Sequence, residues 1–359
     1  MSDYAATVRA QLDPTRILRL LPLGITLAAS AFALVWVLFW APHTNFGPAI
    51  DHPDQFFITL LNGIYFAAEL FIVASGFALI FGLMRVVNMA HGSFYLLGGF
   101  IAYDMQQHMA RGGDFFIPSS SINAWEWIVP ALVASICIGA LGLVVQQVFL
   151  RWNLGQDLRQ ALITIAISVI IADQVITHFH QGLARGLSWP GFIDRFVNLH
   201  AFGIQYSLIK LVVTALGVGV GVLLWLWIYR TRTGMIIRAG VDDRQMASAL
   251  GVNIQKTFAI VFFVGSALAA FGATVVASQG NVATGQDGAW LLNALVVVVV
   301  GGMGSIFGAV AGALLYGLVF QFAASYLPTS ATEYAVVFTF ILLALVLGFR
   351  PQGLFGKPG

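Results

Sequence analysis

Asn88 and His91 stand three residues apart in VVNMAHGSFYLLGG, residues 86–99, between two long apolar runs. An amide and an imidazole can grip a solute by hydrogen bonds, and an imidazole can also carry a proton. Ala90, Gly92, Ser93, Gly98 and Gly99 surround them and are small enough for a second helix or a solute to meet backbone. A helix beginning near Gly92 aims its positive end at this point, which suits a carboxylate. The alternative is a short polar turn at the inner membrane surface. A second interruption, GGMGS at 301–305, follows VVVVV and precedes the small-faced GAVAGALLYG, where Gly308 and Gly312 lie four apart. Each half of the chain thus carries an apolar segment, a break and a small-faced helix. Such corresponding breaks mark solute pathways between halves; tight helix packing explains them equally simply.

Ionisable groups inside apolar runs are the other chemical candidates. Glu69, Asp104 and Asp173 each lie in one, at a cost of about 2.5–3.5 kcal/mol on insertion scales. They could bind a substrate ammonium, cap a helix, pair with a neighbouring subunit or sit near the surface. Asp104 and Asp173 fall toward segment ends, whereas Glu69 is the most central. The pathway set is therefore Asn88, His91, Gly92, Gly301, Gly302, Gly304, Ser305 and Glu69, and the two breaks are expected to approach each other. His178 and His180 lack a nearby third ligand, which favours interfacial packing over a metal site. An intramembrane enzyme using His91 lacks a convincing nucleophile.

The elements that position these residues follow from composition. Of 359 residues 59% are hydrophobic and only 9% charged, against about a quarter charged in soluble domains. Too little polar surface exists to coat a soluble globule, so the expected class is an all-α polytopic membrane protein. Apolar runs fall at 17–41, 55–82, 92–110, 127–150, 160–181, 207–229, 257–279 and 333–349, and 289–326 holds two more around GGMGS. That makes about ten segments, some short or broken. The run 17–41 is too long for a signal-peptide core and reads as a retained first helix. Cys137 is the single cysteine, which excludes an internal disulfide.

Lys and Arg orient the segments. The densest basic loop, 230–256, holds Arg230, Arg232, Arg238, Arg244 and Lys256. Placing it in the cytoplasm puts both termini there, together with the loops near 85–90 and 151–159. Loops 42–54, 111–126, 182–206, 280–288 and 327–332 then lie outside, where Trp125, Trp127, Trp189 and Trp290 suit an interfacial belt. No Walker A loop is present: GLFGK at 353–357 lacks the loop length and the following Ser or Thr.

Three stretches in order resemble the permeases of branched-chain amino-acid ABC importers. They are LNGIYFAAELFIVASGFALIFGLMRVVNMAHGSFYLLGGF, RTGMIIRAGVDDRQMASALGVN, and VVVVVGGMGSIFGAVAGALLYG followed by FRPQGLFG. The NMAHG form is similar to the first of the two paralogous permeases in such importers. The resemblance spans 55–356 and leaves 1–50 as a region with an additional helix before a permease domain at 51–359. It implies a multi-pass protein of a bacterial inner membrane that is not itself an enzyme. It implies passage of a small polar solute: a branched-chain amino acid, an amide, urea or an organic acid. It also implies an external solute-binding protein, a second permease subunit, and two cytoplasmic ATPases that bind ATP and Mg, with no cofactor in this chain and no nucleic acid. A proton-coupled secondary transporter using Glu69 or Asp173 is the alternative.

In the basic loop a short surface helix is expected. Asp242 and Asp243 start it, since carboxylates cap free N–H groups. RQMASAL contains good helix formers, and Gly251 is a natural stop. Met246, Ala249 and Leu250 gather on one face, with Ala247 beside them and Arg238 and Arg244 at the rim. The resemblance makes Arg238, Asp242, Asp243, Met246, Ala247, Leu250 and Gly251 the ATPase-coupling set. A helix resting on lipid headgroups is the plainer reading.

Overall fold

The computed structural model describes residues 53–84, 87–111, 122–153, 155–179, 185–199, 204–242, 244–251, 253–327 and 329–356. The expected first helix at 17–41, and with it the whole 1–50 region, lies outside the described residues, as do Arg85, His180, Asp243 and Lys357. Nine helices follow the remaining nine apolar runs: α1 Pro53–Met84, α2 His91–Arg111, α3 Trp125–Val145, α4 Asp157–His178, α5 Leu208–Arg230, α8 Ile254–Ala277, α9 Gln286–Gly301, α10 Ile306–Tyr326 and α11 Ala335–Phe349. Two short helices, α6 Arg232–Asp242 and α7 Arg244–Ala249, occupy the basic loop. Among the described residues seven helical stretches are long and apolar enough to cross a membrane. α2 is too polar and α9, at 16 residues, too short to count among them. The protein is an all-α polytopic membrane protein.

α1 and α8 form the centre. Ala67 to Ala74 and Phe77 to Ile80 of α1 are buried without interruption, as are Phe258, Val261, Phe262, Ala269 and Ala273 of α8. Lipid tails are as apolar as leucine, so burial alone does not press membrane helices together; close backbone packing does. Glycine provides it here: a Cβ at Gly76 would land on the Gly265 carbonyl, and one at Gly272 would strike Val73. α2, α3, α9 and α10 ring this pair. α4, α5 and α11 lie at the perimeter and expose apolar side chains such as Val169, Ile170, Leu223, Phe340 and Ile341, a surface that hydrocarbon tolerates.

Three details depart from the sequence reading. The 182–206 region is not all loop: β1 Phe196–Leu199 and β2 Ile204–Ser207 pair antiparallel ahead of α5. The alternation of FVNL and IQYS is the signal for it. α3 runs without a break into a π turn at Gln146–Leu150 and a 3-10 turn at Arg151–Asn153. The tryptophans do not form a simple belt. Trp127 is buried, stacks on Trp189 at 4.7 Å and donates its Nε1–H to Ser278 Oγ at 2.8 Å, while Trp290 stacks on Tyr95 at 5.0 Å. Only Trp125 of the four is strongly exposed.

Candidate functional site

The first break is inside the protein. Asn88, Ala90, His91 and Ser93 are buried against the rest of the chain. Non-helical backbone survives at such depth only when its groups are answered by protein. Asn88 Oδ1 accepts from Ala90 N at 3.2 Å and the Asn88 carbonyl accepts from His91 N at 3.2 Å, a local turn that launches α2. Met89 N donates to Thr164 Oγ1 at 3.2 Å, and Ser93 Oγ lies 2.6 Å from Ser168 Oγ. Thr164 and Ser168 are one turn apart on α4, and Gln160 continues the stripe one turn earlier. Thr164 and Ser168, at i and i+4, thus seat the perimeter helix on the break. His91 Nε2 meets the Val73 carbonyl at 3.0 Å, with its ring edge-on to Phe77. Among the described residues the Asn88 amide nitrogen and His91 Nδ1 are buried without a partner.

The second break is of another kind. Gly302 and Gly304 have φ of 107° and 82°, which L side chains rarely adopt. A Cβ on Gly301 would fall on the Gly308 carbonyl, one on Gly302 on Gly356 N, and one on Gly304 at 3.2 Å from Gly82. The C-terminal tail answers the carbonyls that the end of α9 leaves open: Leu354 N donates to Val300 O and Phe355 N to Gly301 O, both at 2.9 Å. Ser305 caps α10 by accepting from Gly308 N at 3.0 Å. Gly312 faces the Val297 carbonyl, so the Gly308–Gly312 pair packs α10 onto α9.

The two breaks stand at opposite ends of α9. Gly92 is packed on Asp287 and Leu291 near its start, and Leu291 to Gly301 is about 15 Å of helix. They bracket one short helix instead of facing each other.

Glu69 is 4% exposed, and the Tyr65 hydroxyl donates to it. The Tyr95 hydroxyl is buried and, among the described residues, has no hydrogen-bond partner. Lys210 Nζ donates to Asn62 Oδ1 at 2.8 Å and lies over the rings of Tyr65 and Tyr206, 5.6 and 5.7 Å away. Tyr206 OH donates to the same Asn62 oxygen at 3.1 Å. Burial raises the Tyr206 phenol above its usual range, so it stays a neutral donor. Sequence reading found Glu69 but missed Asn62, Tyr65, Tyr206 and Lys210. The signal was there: positions 62, 65 and 69 share one face of α1, and Lys210 is a lone cation in an apolar run. Asp104 and Asp173 are exposed, and Asp104 pairs with His108 at 3.8 Å.

The basic loop turns out as two helices. Gly251, at φ 84°, ends the second. Met246 and Leu250 are 60% and 77% exposed, whereas Ala247 is 3% exposed and faces its own chain. Arg238 donates to the Ile228 carbonyl at the end of α5 and lies 4.8 Å from the Tyr229 ring, so it joins α6 to α5. The side chain of Asp242 lies outside the described residues.

Residues 59–347 match the family described as branched-chain amino acid transport system, permease component. The chain belongs to this family. A permease of this family from Pseudomonas aeruginosa, the high-affinity branched-chain amino acid transport protein BraD, is 31% identical over 87% of this chain and 98% of its own. The Escherichia coli permease LivH is 28% identical over 83% and 95%. A probable LivH of Methanocaldococcus jannaschii is 22% identical over 83% and 91%. A solved chain of PsaBC from Streptococcus pneumoniae in complex with Fab overlays 86% of this chain and 97% of its own, at 12% identity and a TM-score of 0.45. The family match takes in both breaks and the two short helices of the basic loop, and stops before the tail that closes the second break.

Proposed function

We propose that this chain is the membrane-spanning subunit of an ABC importer. It receives a small polar solute, such as a branched-chain amino acid or a related amide, urea or organic acid, from an external binding protein and releases it to the cytoplasm of a bacterium. A second permease, expected to be a paralogue, completes the path through the inner membrane. Two separate ATPases bind ATP and Mg and dock on the basic loop. Both termini are cytoplasmic, and residues 1–50 add a tenth segment to a permease domain at 51–359. Asn88, His91, Gly92 and Glu69 face the solute route. Gly301, Gly302, Gly304 and Ser305 form the end of α9 at which the tail and α1 hold it.

The observation that carries this reading is the exposed pair Met246 and Leu250, on and just after the short helix α7 of the basic loop. Apolar side chains outside the spans, amid Arg230, Arg232 and Lys256, suit a groove on a protein partner. Leu250→Asp places a charge in that contact while its own chain barely touches it. The variant is expected to keep its thermal midpoint and to lose at least tenfold in ATPase co-purification and uptake. Normal co-purification and uptake would remove the coupling assignment. Ala247→Glu is a test of the loop's own packing, since Ala247 is buried.

A further inference from the structure

α5 and α10 lean on α1 from two sides and leave a groove between them. Gly217 and Gly221 bring α5 onto Ala68 and Phe71, and Gly317 brings α10 onto Gly63 and Ala67. The two walls meet where α5 ends and α10 begins, with the rings of Tyr229 and Phe307 6.1 Å apart. Ile64, Ala67, Ala68 and Phe71 of α1 form the floor, between Val218 of α5 and Leu314 of α10. Thr214 supplies the one hydroxyl of the lining, and it donates to the Lys210 carbonyl of its own helix at 2.8 Å. The groove measures about 210 Å³, below the roughly 300–1,000 Å³ of ligand pockets. Its size and apolar lining suit side chains of a neighbouring helix and not a polar solute.

The floor belongs to a longer seam. Phe57, Leu61, Ile64, Ala68 and Phe71 recur at spacings of four and three, so they share one face of α1. The first three are half-buried and lead from near the start of α1 into the groove. Such spacing is the seam of one helix packed along another. α8 and α9 occupy other faces of α1, which leaves the side between α5 and α10 for a helix arriving from the membrane. The apolar run 17–41, which lies outside the described residues, repeats the spacing with Gly24, Ala28, Ala31, Val35 and Leu38. It stands ahead of the family match, which begins at residue 59. Eleven residues, 42–52, separate it from α1. Consecutive segments joined by a short connection usually lie side by side and antiparallel. In that direction Val35 and Leu38 fall beside the start of the seam. Gly24 and Ala28 fall beside Ala68 and Phe71, where small residues permit close approach.

We propose that the run 17–41 of this same chain packs antiparallel along α1 and seats its Gly24–Leu38 face in the groove between α5 and α10. Seated there it braces α5, the helix that runs into the basic loop.

The test uses the full chain in membranes, in a Cys137→Ala background because Cys137 is exposed, with a protease site placed within 42–52. A single cysteine is scanned from position 24 to position 38 against Val218→Cys or Leu314→Cys, one on each wall, and each pair is oxidised. A disulfide needs Cβ atoms about 3.5–4.5 Å apart, so after proteolysis only touching pairs keep the two pieces together on a non-reducing gel. Cross-linking to both walls is expected to recur every three or four positions along the scan. It should be absent against Val169→Cys on α4, which is exposed on another side of the protein. Should a wall variant fail to insert, Val310→Cys on the same groove takes its place. Cross-linking without a period, or stronger to Val169→Cys than to the walls, overturns the proposal. No cross-linking at all would leave the groove to lipid and overturns it too. So does a cross-linked product of doubled mass, which would put a second copy of the chain in the groove.

Discussion

The two interruptions in the apolar pattern have similar sequences and opposite constructions. The first, Asn88 to Ser93, is held by side chains: Asn88, His91, Thr164 and Ser168 satisfy the backbone and each other. The second, Gly301 to Ser305, is held almost entirely by backbone: Gly82, Gly308 and the tail at 353–356 press onto its glycines. A break held by side chains can exchange a partner for a solute, because a hydroxyl or amide can let go and rebind. A break held by glycine backbone fixes where a helix ends. α9, about 24 Å long, hangs between the two.

The largest effect expected from this contrast is at Gly302. Its φ of 107° costs a side chain about 1–3 kcal/mol in strain, and its Cβ overlaps Gly356 N. Gly302→Leu should yield little folded protein in detergent size-exclusion chromatography. A monodisperse variant with ordinary yield would show that the second break is roomier than its contacts imply. It is a folding probe and not the selective block of uptake that a pathway-lining glycine would give.

Next comes the tail. A stop after Arg350 removes the donors to Val300 O and Gly301 O, and an orphaned buried carbonyl costs about 1–3 kcal/mol. The truncated protein should insert and assemble but melt several degrees lower, measured by differential scanning fluorimetry. An unchanged midpoint would mean that the tail merely rests on α9.

How far each region is legible from sequence follows the same contrast. Apolar length gave α1, α3, α4, α5, α8 and α11 their places, and GGMGS correctly divides α9 from α10. Glu69 stands out because a carboxylate amid YFAAELFIV has no other reason to be there. The tail contact is invisible beforehand, since two backbone bonds between residues more than fifty positions apart need only small residues and leave no periodicity. The depth of NMAHG is likewise hidden: a polar turn at the surface and a polar turn in the core read the same until the partners on α4 and α1 are known. Ala247 was misplaced because a six-residue helix is too short for a pattern to tell which face meets its own chain.

Thr164→Val should have a smaller effect than the tail. It keeps the shape and removes the acceptor of Met89 N, for a loss of about 1 kcal/mol in stability, with uptake changed more than the midpoint because the first break adjoins the proposed route. Equal proportional losses in the two would argue for a purely structural seam. Ser305→Ala should matter least, removing one cap at about 1 kcal/mol and leaving uptake near normal at room temperature.

The central claim is that this chain moves its solute with energy delivered by partner ATPases. Proteoliposomes holding the full complex, with ATP and Mg inside in the compartment of the basic loop and binding protein and radiolabelled leucine on the other side, test it in one measurement of uptake rate. Uptake that requires both ATP and binding protein and is unaffected by a protonophore is the predicted result. Uptake that persists without ATP and collapses when the protonophore is added would contradict the account and return Glu69 to the role of a proton carrier.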